Sequence, residues 1–369
     1  MDISPLLNWL IAAASVIFGV WLVGQTLIAA VSTYIVPRGI NHWLIRFIYY
    51  RLRKLLGLYI RNLNDYQRKD MVMAFFAPIA LVMAALALLA LLLVGYTFIY
   101  WGLGIRPLYA AFHLSGSSLL TLGFDDAKSW LFSPIIFSEA MLGTFFTAIL
   151  IGYIPTIYSA FSKREALVNL LEVRAGSRIS PLEMILRAHR LNRFEHFGEL
   201  WERWEMWFSE VEESHTSLVA VAFFRSQKPN LSWITAGGCV LDTAALELSL
   251  LDKPNDVRAA LTIRAGTVCL RSMGDFFRIP YNADPKPNDP ISIQRYQFDL
   301  LCEELRKEGV PLKADLEQAW KDFAGWRVNY DTLLVTLSQM FVVPPSIWEN
   351  EFRKGPVQAQ NSTSLFYGK

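Results

Sequence analysis

Residues 106–130 read RPLYAAFHLSGSSLLTLGFDDAKSW and lie between two long apolar stretches of the chain that together contain one charged residue. The first half, Pro107 to Leu120, is apolar or neutral and predicts a short helix that begins with proline in its first turn. Such a helix is too short to cross a bilayer, which needs about 20 apolar residues. We therefore predict a re-entrant segment, because non-helical backbone is tolerated at membrane depth only where it is buried in protein or lines a water-filled path.

Three stretches are long and apolar enough to span a membrane, and they fill most of the first 162 residues. They are Ile3–Val36, Met71–Ile105 and Trp130–Phe161, of which the third contains one charged residue, Glu139. Residues 1–162 hold ten Lys/Arg and six Asp/Glu, which leaves 25 and 27 for residues 163–369. This division excludes a single soluble globule, a disordered chain and a disulfide-stapled secreted domain. The net charge of +2 also argues against a nucleic-acid partner.

The distribution of Lys and Arg predicts the orientation in the membrane. Residues 37–70 contain eight of them, whereas residues 106–129 contain only two. Since basic loops remain in the cytoplasm, we expect a multi-pass protein of the cell membrane with its N-terminus outside and its C-terminal half cytoplasmic.

The basic loop contains a helical pattern of its own. Residues 40–63 read INHWLIRFIYYRLRKLLGLYIRNL, with apolar residues at helical spacing and arginines between them. This pattern is typical of an amphipathic helix on the anionic cytoplasmic leaflet. The alternative is a cytoplasmic helix packed on the soluble half of the chain.

The end of the re-entrant segment carries a specific motif, Thr121-Leu122-Gly123-Phe124-Asp125-Asp126. With a long helix and a short helix before it and a long helix after it, this motif resembles the potassium-channel pore domain, whose filter reads Thr-Val-Gly-Tyr-Gly-Asp. The resemblance covers roughly residues 71–162, less than a third of the chain. It implies a homotetramer in which Thr121 to Asp125 aim carbonyl groups at permeant K⁺, with Asp126 at the outer mouth. No other metal or cofactor is expected.

The sequence departs from the family pattern at Asp125, where the family has a second glycine. Side-chained residues enter the left-handed region at a cost, so the outermost carbonyl site is expected to be distorted or absent. Phe124 is expected to pack behind the filter. Rings of carboxylates at the outer mouth would still concentrate cations, so cation conduction is expected to survive this departure better than strict potassium selectivity.

Four further residues are candidates for supporting or gating the pore. Ser117 and Glu139 are candidates for supporting the filter, and Glu139 has the alternative of reaching the lipid headgroups. Gly152 and Pro155 are candidates for an inner gate, because proline removes a helix hydrogen bond and kinks the helix. The alternative is that small residues here serve only helix packing.

The remainder of the chain predicts an all-α cytoplasmic domain over residues 163–352 and a disordered tail over 353–369. The predicted helices are 164–176, 181–191, 195–213, 238–251, 256–271, 291–308 and 313–341. A stripe of Trp201, Trp204 and Trp207 favours a core-facing helix over a contact surface. No motif for catalysis, nucleotide binding or zinc is present, so an enzyme is not expected.

We therefore predict an all-α membrane protein with three transmembrane helices and a re-entrant pore loop per subunit, followed by the all-α cytoplasmic domain. Its domains are 1–36 (peripheral helix), 37–70 (basic interfacial linker), 71–162 (pore), 163–352 and 353–369. Its expected function is a potassium-channel-like cation channel. A weakly selective cation channel and a non-conducting membrane-anchored scaffold remain alternatives, as does an ordinary extracellular turn at 121–126.

Overall fold

The computed structural model describes residues 5–36, 43–63, 65–125, 130–344 and Trp348, and all regular secondary structure in these ranges is helical. The described residues divide into two compact units. The first unit lies within Met1–Leu167, Ser209–Pro229 and Ser272–Arg278. The second unit lies within Val168–Phe208, Asn230–Arg271 and Ile279–Lys369.

The first unit contains the long apolar helices. Its helices are α1 Pro5–Tyr34, α2 Trp43–Arg61, α3 Tyr66–Ala74, α4 Phe76–Gly102, α5 Leu108–Leu119 and most of α6 Ser133–Ala175. Three helical stretches of the described chain are long and apolar enough to cross a membrane: Leu6–Tyr34, Tyr66–Gly102 and Ser133–Ala175. The three predicted spans are therefore confirmed as helices of suitable length and composition. The third span and the helix predicted over 164–176 are one continuous helix rather than two.

Small residues bring α1 and α4 into close contact. A Cβ added at Gly19 would lie 2.5 Å from the carbonyl oxygen of Gly95, and one added at Gly102 would lie 2.6 Å from that of Ala12. Ser15 donates a hydrogen bond from Oγ to the carbonyl of Phe98 over 2.8 Å. Close backbone approach through small residues is the usual way in which apolar helices associate in lipid. The helix α1 is therefore in close contact with α4 along much of its length.

The basic helix α2 has two different faces. Residues such as Tyr49, Leu52 and Leu56 pack on a buried cluster that contains Ile60 and Phe76. The opposite face is exposed and combines aromatic and aliphatic side chains with basic ones: Trp43, Arg46, Phe47, Arg51, Lys54, Leu55 and Leu58. This mixture of aromatic, aliphatic and basic side chains is typical of a helix that lies on a membrane surface.

The second unit is built around one buried helix. Its helices are α7 Pro181–Arg190, the first part of α8 Phe197–Ser217, α10 Trp233–Ser249, most of α11 Val257–Phe277, α12 Arg295–Lys307, α13 Leu316–Arg327 and α14 Asp331–Phe341. All residues of α10 except Thr235 are buried. The tryptophan stripe 201/204/207 on α8 is also buried, so the prediction of a core-facing helix is confirmed.

A network of buried, hydrogen-bonded polar side chains lies in the core of the second unit. Asp242 accepts hydrogen bonds from Arg327, from the Tyr330 hydroxyl at 2.9 Å and from Nε1 of Trp348 at 2.9 Å. Arg327 also donates from Nε to Asp331 over 2.7 Å. Each of these groups would be costly to bury alone, so the network holds only when every member has its partner.

The structure differs from the sequence prediction at residues 313–341, where it has two helices rather than one. The chain leaves the helical path after Arg327 and resumes it at Asp331. The Asn329 side chain donates to the carbonyl oxygens of Gly325 and Trp326 and thereby satisfies groups that the end of α13 leaves free. Arg327 and Asp331 lie on either side of the break, and both belong to the buried network.

The division into units also departs from a simple cut after residue 162. Residues 209–229, which include the last part of α8 and the short helix α9 Val219–Phe223, belong to the first unit together with 272–278. The domain boundaries proposed from the sequence stay predictions, and the tail 353–369 lies outside the described residues.

Candidate ion-conduction site

The short helix α5 lies between α4 and α6 in the chain and packs against both. Its residues Ala111 and Leu114 are buried in a cluster with Tyr96, Ile99 and Tyr100 of α4, and Leu142 of α6 packs on the same cluster. Oγ of Ser115 lies 3.0 Å from the carbonyl oxygen of Leu93. The helix predicted over 107–120 is therefore present, and one of its faces is anchored on α4.

Glu139 is buried among these three helices. Its side chain is fully shielded from solvent in the described chain. Oε1 accepts a hydrogen bond from the Ser115 hydroxyl at 2.5 Å, and Oε2 accepts one from the Tyr100 hydroxyl at 2.8 Å. The alternative of a glutamate that reaches the headgroups is wrong, because both carboxylate oxygens are used inside the protein. Glu139 thus ties α6 to α5 and α4.

Ser117 makes three of the hydrogen bonds that hold the segment after α5. The carbonyl oxygen of Ser117 accepts hydrogen bonds from the amide groups of Leu122 at 2.8 Å and Gly123 at 3.4 Å. Its hydroxyl oxygen accepts one from the amide of Asp125 at 3.0 Å. Ser117 was predicted as a support of the filter, and the structure places it against three of the five predicted filter residues.

Two residues of this segment have positive φ. Gly123 has φ +69°, which a glycine adopts at little cost, and Thr121 has φ +54°, which is uncommon for a β-branched residue. The left-handed conformation of Thr121 was not predicted from the sequence. Strain of this kind persists only where surrounding contacts impose it, and it is concentrated at functional sites.

The side chain of Asp125 also has a partner, His113 of α5. Nδ1 of His113 lies 3.1 Å from Oδ2 of Asp125, and the imidazole ring lies 4.7 Å from the ring of Phe124. His113 and Ser117 are one helical turn apart, so the same face of α5 holds the segment twice. Sequence reasoning missed His113. Its spacing of four residues from Ser117 was the available signal.

The helix α6 approaches the end of α5 very closely. A Cβ added at Gly143 would lie 2.0 Å from the carbonyl oxygen of Leu119 and 3.0 Å from its carbonyl carbon. No Cβ fits at that distance, so only glycine allows α6 to cross here. The crossing fixes the position of the end of α5, after which residues 120–125 follow.

The predicted inner-gate residues lie elsewhere on α6. Pro155 is exposed inside a helix that continues on both sides of it, and a Cβ added at Gly152 would meet no atom within 4 Å. Pro155 is 16 positions beyond Glu139, which corresponds to about 24 Å along a helix. The structure therefore brings Ser117 close to the predicted filter residues but leaves the two gate candidates at a distance from them.

Compared with known proteins, the chain matches no family model, no curated protein and no solved structure.

Other predicted positions are easily located. Leu122 and Phe124 are more than half exposed in the single chain, as is Leu120. Asp126 lies outside the described residues. Within the ranges that the structure describes, no group of three or more His, Cys, Asp or Glu side chains is placed to hold a metal ion.

Removal of the Ser115 hydroxyl should destabilise the first unit. In a Ser115→Ala variant, Oε1 of Glu139 keeps its burial but loses its hydrogen bond, which costs about 1–3 kcal/mol. We expect a lower thermal unfolding midpoint of the full chain in detergent, followed by tryptophan fluorescence. The control is Thr144→Val, because the Thr144 hydroxyl donates to the Ala140 carbonyl within its own exposed helical turn. An equal midpoint shift in both variants would contradict the role given to Ser115.

Proposed function

We propose that the chain is the subunit of a tetrameric, potassium-channel-like cation channel. The observation that carries this proposal is the pair of ties from Ser117 and His113 to residues 122–125, at the end of a short helix between two long apolar helices. A loop fixed in this way has backbone carbonyls in set positions, and rings of such carbonyls replace the hydration shell of a permeant ion.

The proposal requires several copies of the chain around the ion path, because one loop supplies only one side of it. Exposed apolar side chains in the single chain support this assembly. They lie on the filter segment and on α6: Leu120, Leu122, Phe124, Phe137, Met141, Ile151 and Ile154. The last two flank Gly152 and precede Pro155, where an inner constriction is proposed. A homotetramer would cover part of this surface and leave part of it to lipid.

Asp125 decides between strict and weak selectivity. One oxygen of its carboxylate lies 3.1 Å from Nδ1 of His113, and its amide donates to the Ser117 hydroxyl. These two contacts hold both the backbone and the side chain of Asp125 in place. A ring of such carboxylates attracts cations without distinguishing K⁺ from Na⁺. A weakly selective cation channel is therefore the second candidate, and Asp125→Gly is expected to preserve or raise the preference for K⁺.

We place the protein in the cell membrane with its N-terminus outside and the C-terminal residues in the cytoplasm. The exposed face of α2 supports an additional contact with anionic lipids of the cytoplasmic leaflet. Trp43 and Phe47 on this face suit the headgroup layer, and Arg46, Arg51 and Lys54 beside them suit anionic lipid.

Conduction and assembly are tested by rubidium uptake into liposomes and by the symmetry of particles in electron micrographs. The wild-type chain is expected to take up rubidium and to form fourfold particles. Gly123→Ala should lose about tenfold or more of the uptake, since alanine at φ +69° costs about 1–2 kcal/mol per subunit.

Gly24→Ala is the control for this experiment. Both glycines leave free space for a Cβ, but only Gly123 has a positive φ. Equal uptake by the two variants would contradict the assignment of Gly123 to a selectivity filter. Particles without fourfold symmetry and without uptake would favour the non-conducting scaffold.

A further inference from the structure

A short segment from the second half of the chain is buried among the long helices of the first unit. Ala220 and Val221 of α9 form one hydrophobic cluster with Tyr153 and Ile157 of α6. Tyr34 of α1 and Leu81 of α4 pack on the same cluster. The two α6 residues lie two positions before and two positions after Pro155. The segment therefore contacts α6 on both sides of the point where a helix hydrogen bond is absent.

The other side of α9 contacts the basic helix and the beginning of α4. The Phe223 ring lies 5.1 Å from the ring of Phe76 and 5.8 Å from that of Tyr49, measured between centroids. Arg225, immediately beyond, donates from Nη1 to Asp70 over 2.7 Å. The segment is thus packed against α1, α2, α4 and α6, and its far end is tied to α3.

One side chain of α6 fastens the segment to that helix. Arg164 donates from Nη1 to the carbonyl of Val221 at 2.9 Å and from Nη2 to that of Phe224 at 2.8 Å. The guanidinium is nearly fully buried and pairs with Glu165 at 2.7 Å. The Val221 carbonyl also accepts a hydrogen bond from the Phe224 amide at 3.1 Å, so Arg164 uses the second lone pair of that oxygen. At Phe224 the same guanidinium binds a carbonyl that lies just beyond the end of α9.

His215 completes this arrangement. Its Nε2 lies 3.1 Å from Nη1 of Arg164, and its Nδ1 lies 3.0 Å from the Ser214 hydroxyl. Burial, and then the neighbouring guanidinium, lowers the pKa of His215 well below its usual range. Because a guanidinium only donates, Nε2 is the acceptor and the proton of the neutral ring is on Nδ1.

We infer that Arg164 is a positioning residue through which residues 214–224 set the conformation of α6 around Pro155, and thereby regulate the inner end of the pore. The regulatory part of this inference rests on the proposed function. The helix α8 runs from residues of the second unit to residue 217. If residues 214–224 move, their packing transmits the movement to Tyr153 and Ile157 of α6. These two residues lie on either side of Pro155, where a helix hydrogen bond is absent. An effector acts here only if it binds one arrangement better than the other.

The first test is hydrogen exchange of the full chain in lipid nanodiscs. Arg164→Lys keeps the charge, but a single ammonium cannot bridge two carbonyls and His215 in the geometry of a guanidinium. We expect exchange to rise about tenfold or more both in residues 214–224 and in α6 residues 151–160. The control is Lys163→Ala, which removes an exposed positive charge from the neighbouring position and should change neither region. Faster exchange in residues 214–224 with unchanged exchange in residues 151–160 would show that Arg164 does not couple this segment to α6.

The second test measures rubidium uptake and the reversal potential of the same variants. Arg164→Lys should change the uptake rate by at least about fivefold and leave the reversal potential unchanged. An unchanged rate with altered exchange would overturn the regulatory role. If Arg164→Lys does not fold, Val221→Ala serves instead, since it removes contact with α6 but keeps every Arg164 bond. If no variant and no wild-type sample conducts, the proposed function fails, and the exchange result still decides the coupling.

Discussion

A Gly143→Ala variant is expected to lose cation uptake and much of its thermal stability. The added methyl group would lie 2.0 Å from the carbonyl oxygen of Leu119, and contacts between real Cβ atoms and neighbours do not fall below about 3 Å. The obstacle is backbone, so no side-chain rotation relieves it. Overpacking of this kind costs about 1–3 kcal/mol, and four copies in a tetramer would each bear it.

The loss of uptake follows from the position of Leu119. Leu119 is the last residue of α5 and directly precedes the predicted filter segment. A methyl group at position 143 would push α5 and α6 apart at Leu119 and thereby displace the adjacent residues Leu120 and Thr121. Gly143→Ala and the control Gly24→Ala should be compared in detergent melting and in rubidium uptake, because a Cβ at Gly24 meets no atom within 4 Å. A Gly143→Ala protein that melts and conducts like the control would contradict the crossing of α5 and α6.

An Arg327→Met variant is expected to lose about 3–5 kcal/mol of unfolding free energy, the largest stability effect in the second unit. Burial opposes the charge of Arg327, but the carboxylates of Asp242 and Asp331 outweigh it and raise the pKa of Arg327. Methionine fills a similar volume and leaves two buried carboxylates without their cation. The Trp348 indole, which donates to Asp242, should become mobile as a result.

The matched control for Arg327→Met is Arg190→Met. Arg190 forms an ion pair with Glu308 at 2.8 Å, but both side chains are about half exposed. Exposed pairs contribute about 1 kcal/mol or less. Denaturant unfolding of the full chain, followed by tryptophan fluorescence, should therefore separate the two variants clearly. Equal midpoints would show that the buried network does not stabilise the fold.

The three long helices and the short helix between them could be predicted from the sequence, because uncharged stretches and a proline start are local signals. Ser117 and Glu139 could also be named in advance as supports. The partners of Glu139 could not, because Tyr100 and Ser115 lie 39 and 24 positions away and only the packing of three helices brings them together.

The contacts of the segment 214–224 could not be predicted for the same reason, and the spacing of His113 from Ser117 places it on the same helix face without naming Asp125 as its partner. The contact of His113 with Asp125 depends on how the chain returns after α5. The helix α9 is five residues long, too short to have a periodicity, and it is fastened by an arginine 57 positions before Val221. Local propensity carries no information about such contacts, although they decide which side chains surround Pro155.

Whether the protein is a cation channel is tested by the reversal potential of single-channel currents in a KCl gradient. We expect currents that reverse at the potassium equilibrium potential, since carbonyl groups and the Asp125 carboxylate favour cations over chloride. Replacing potassium by sodium on one side then reports selectivity: a value near the potassium potential fits a working filter, and a value near zero fits the weakly selective channel. Reversal at the chloride potential, or no current from wild type and Arg164→Lys alike, would contradict a cation channel.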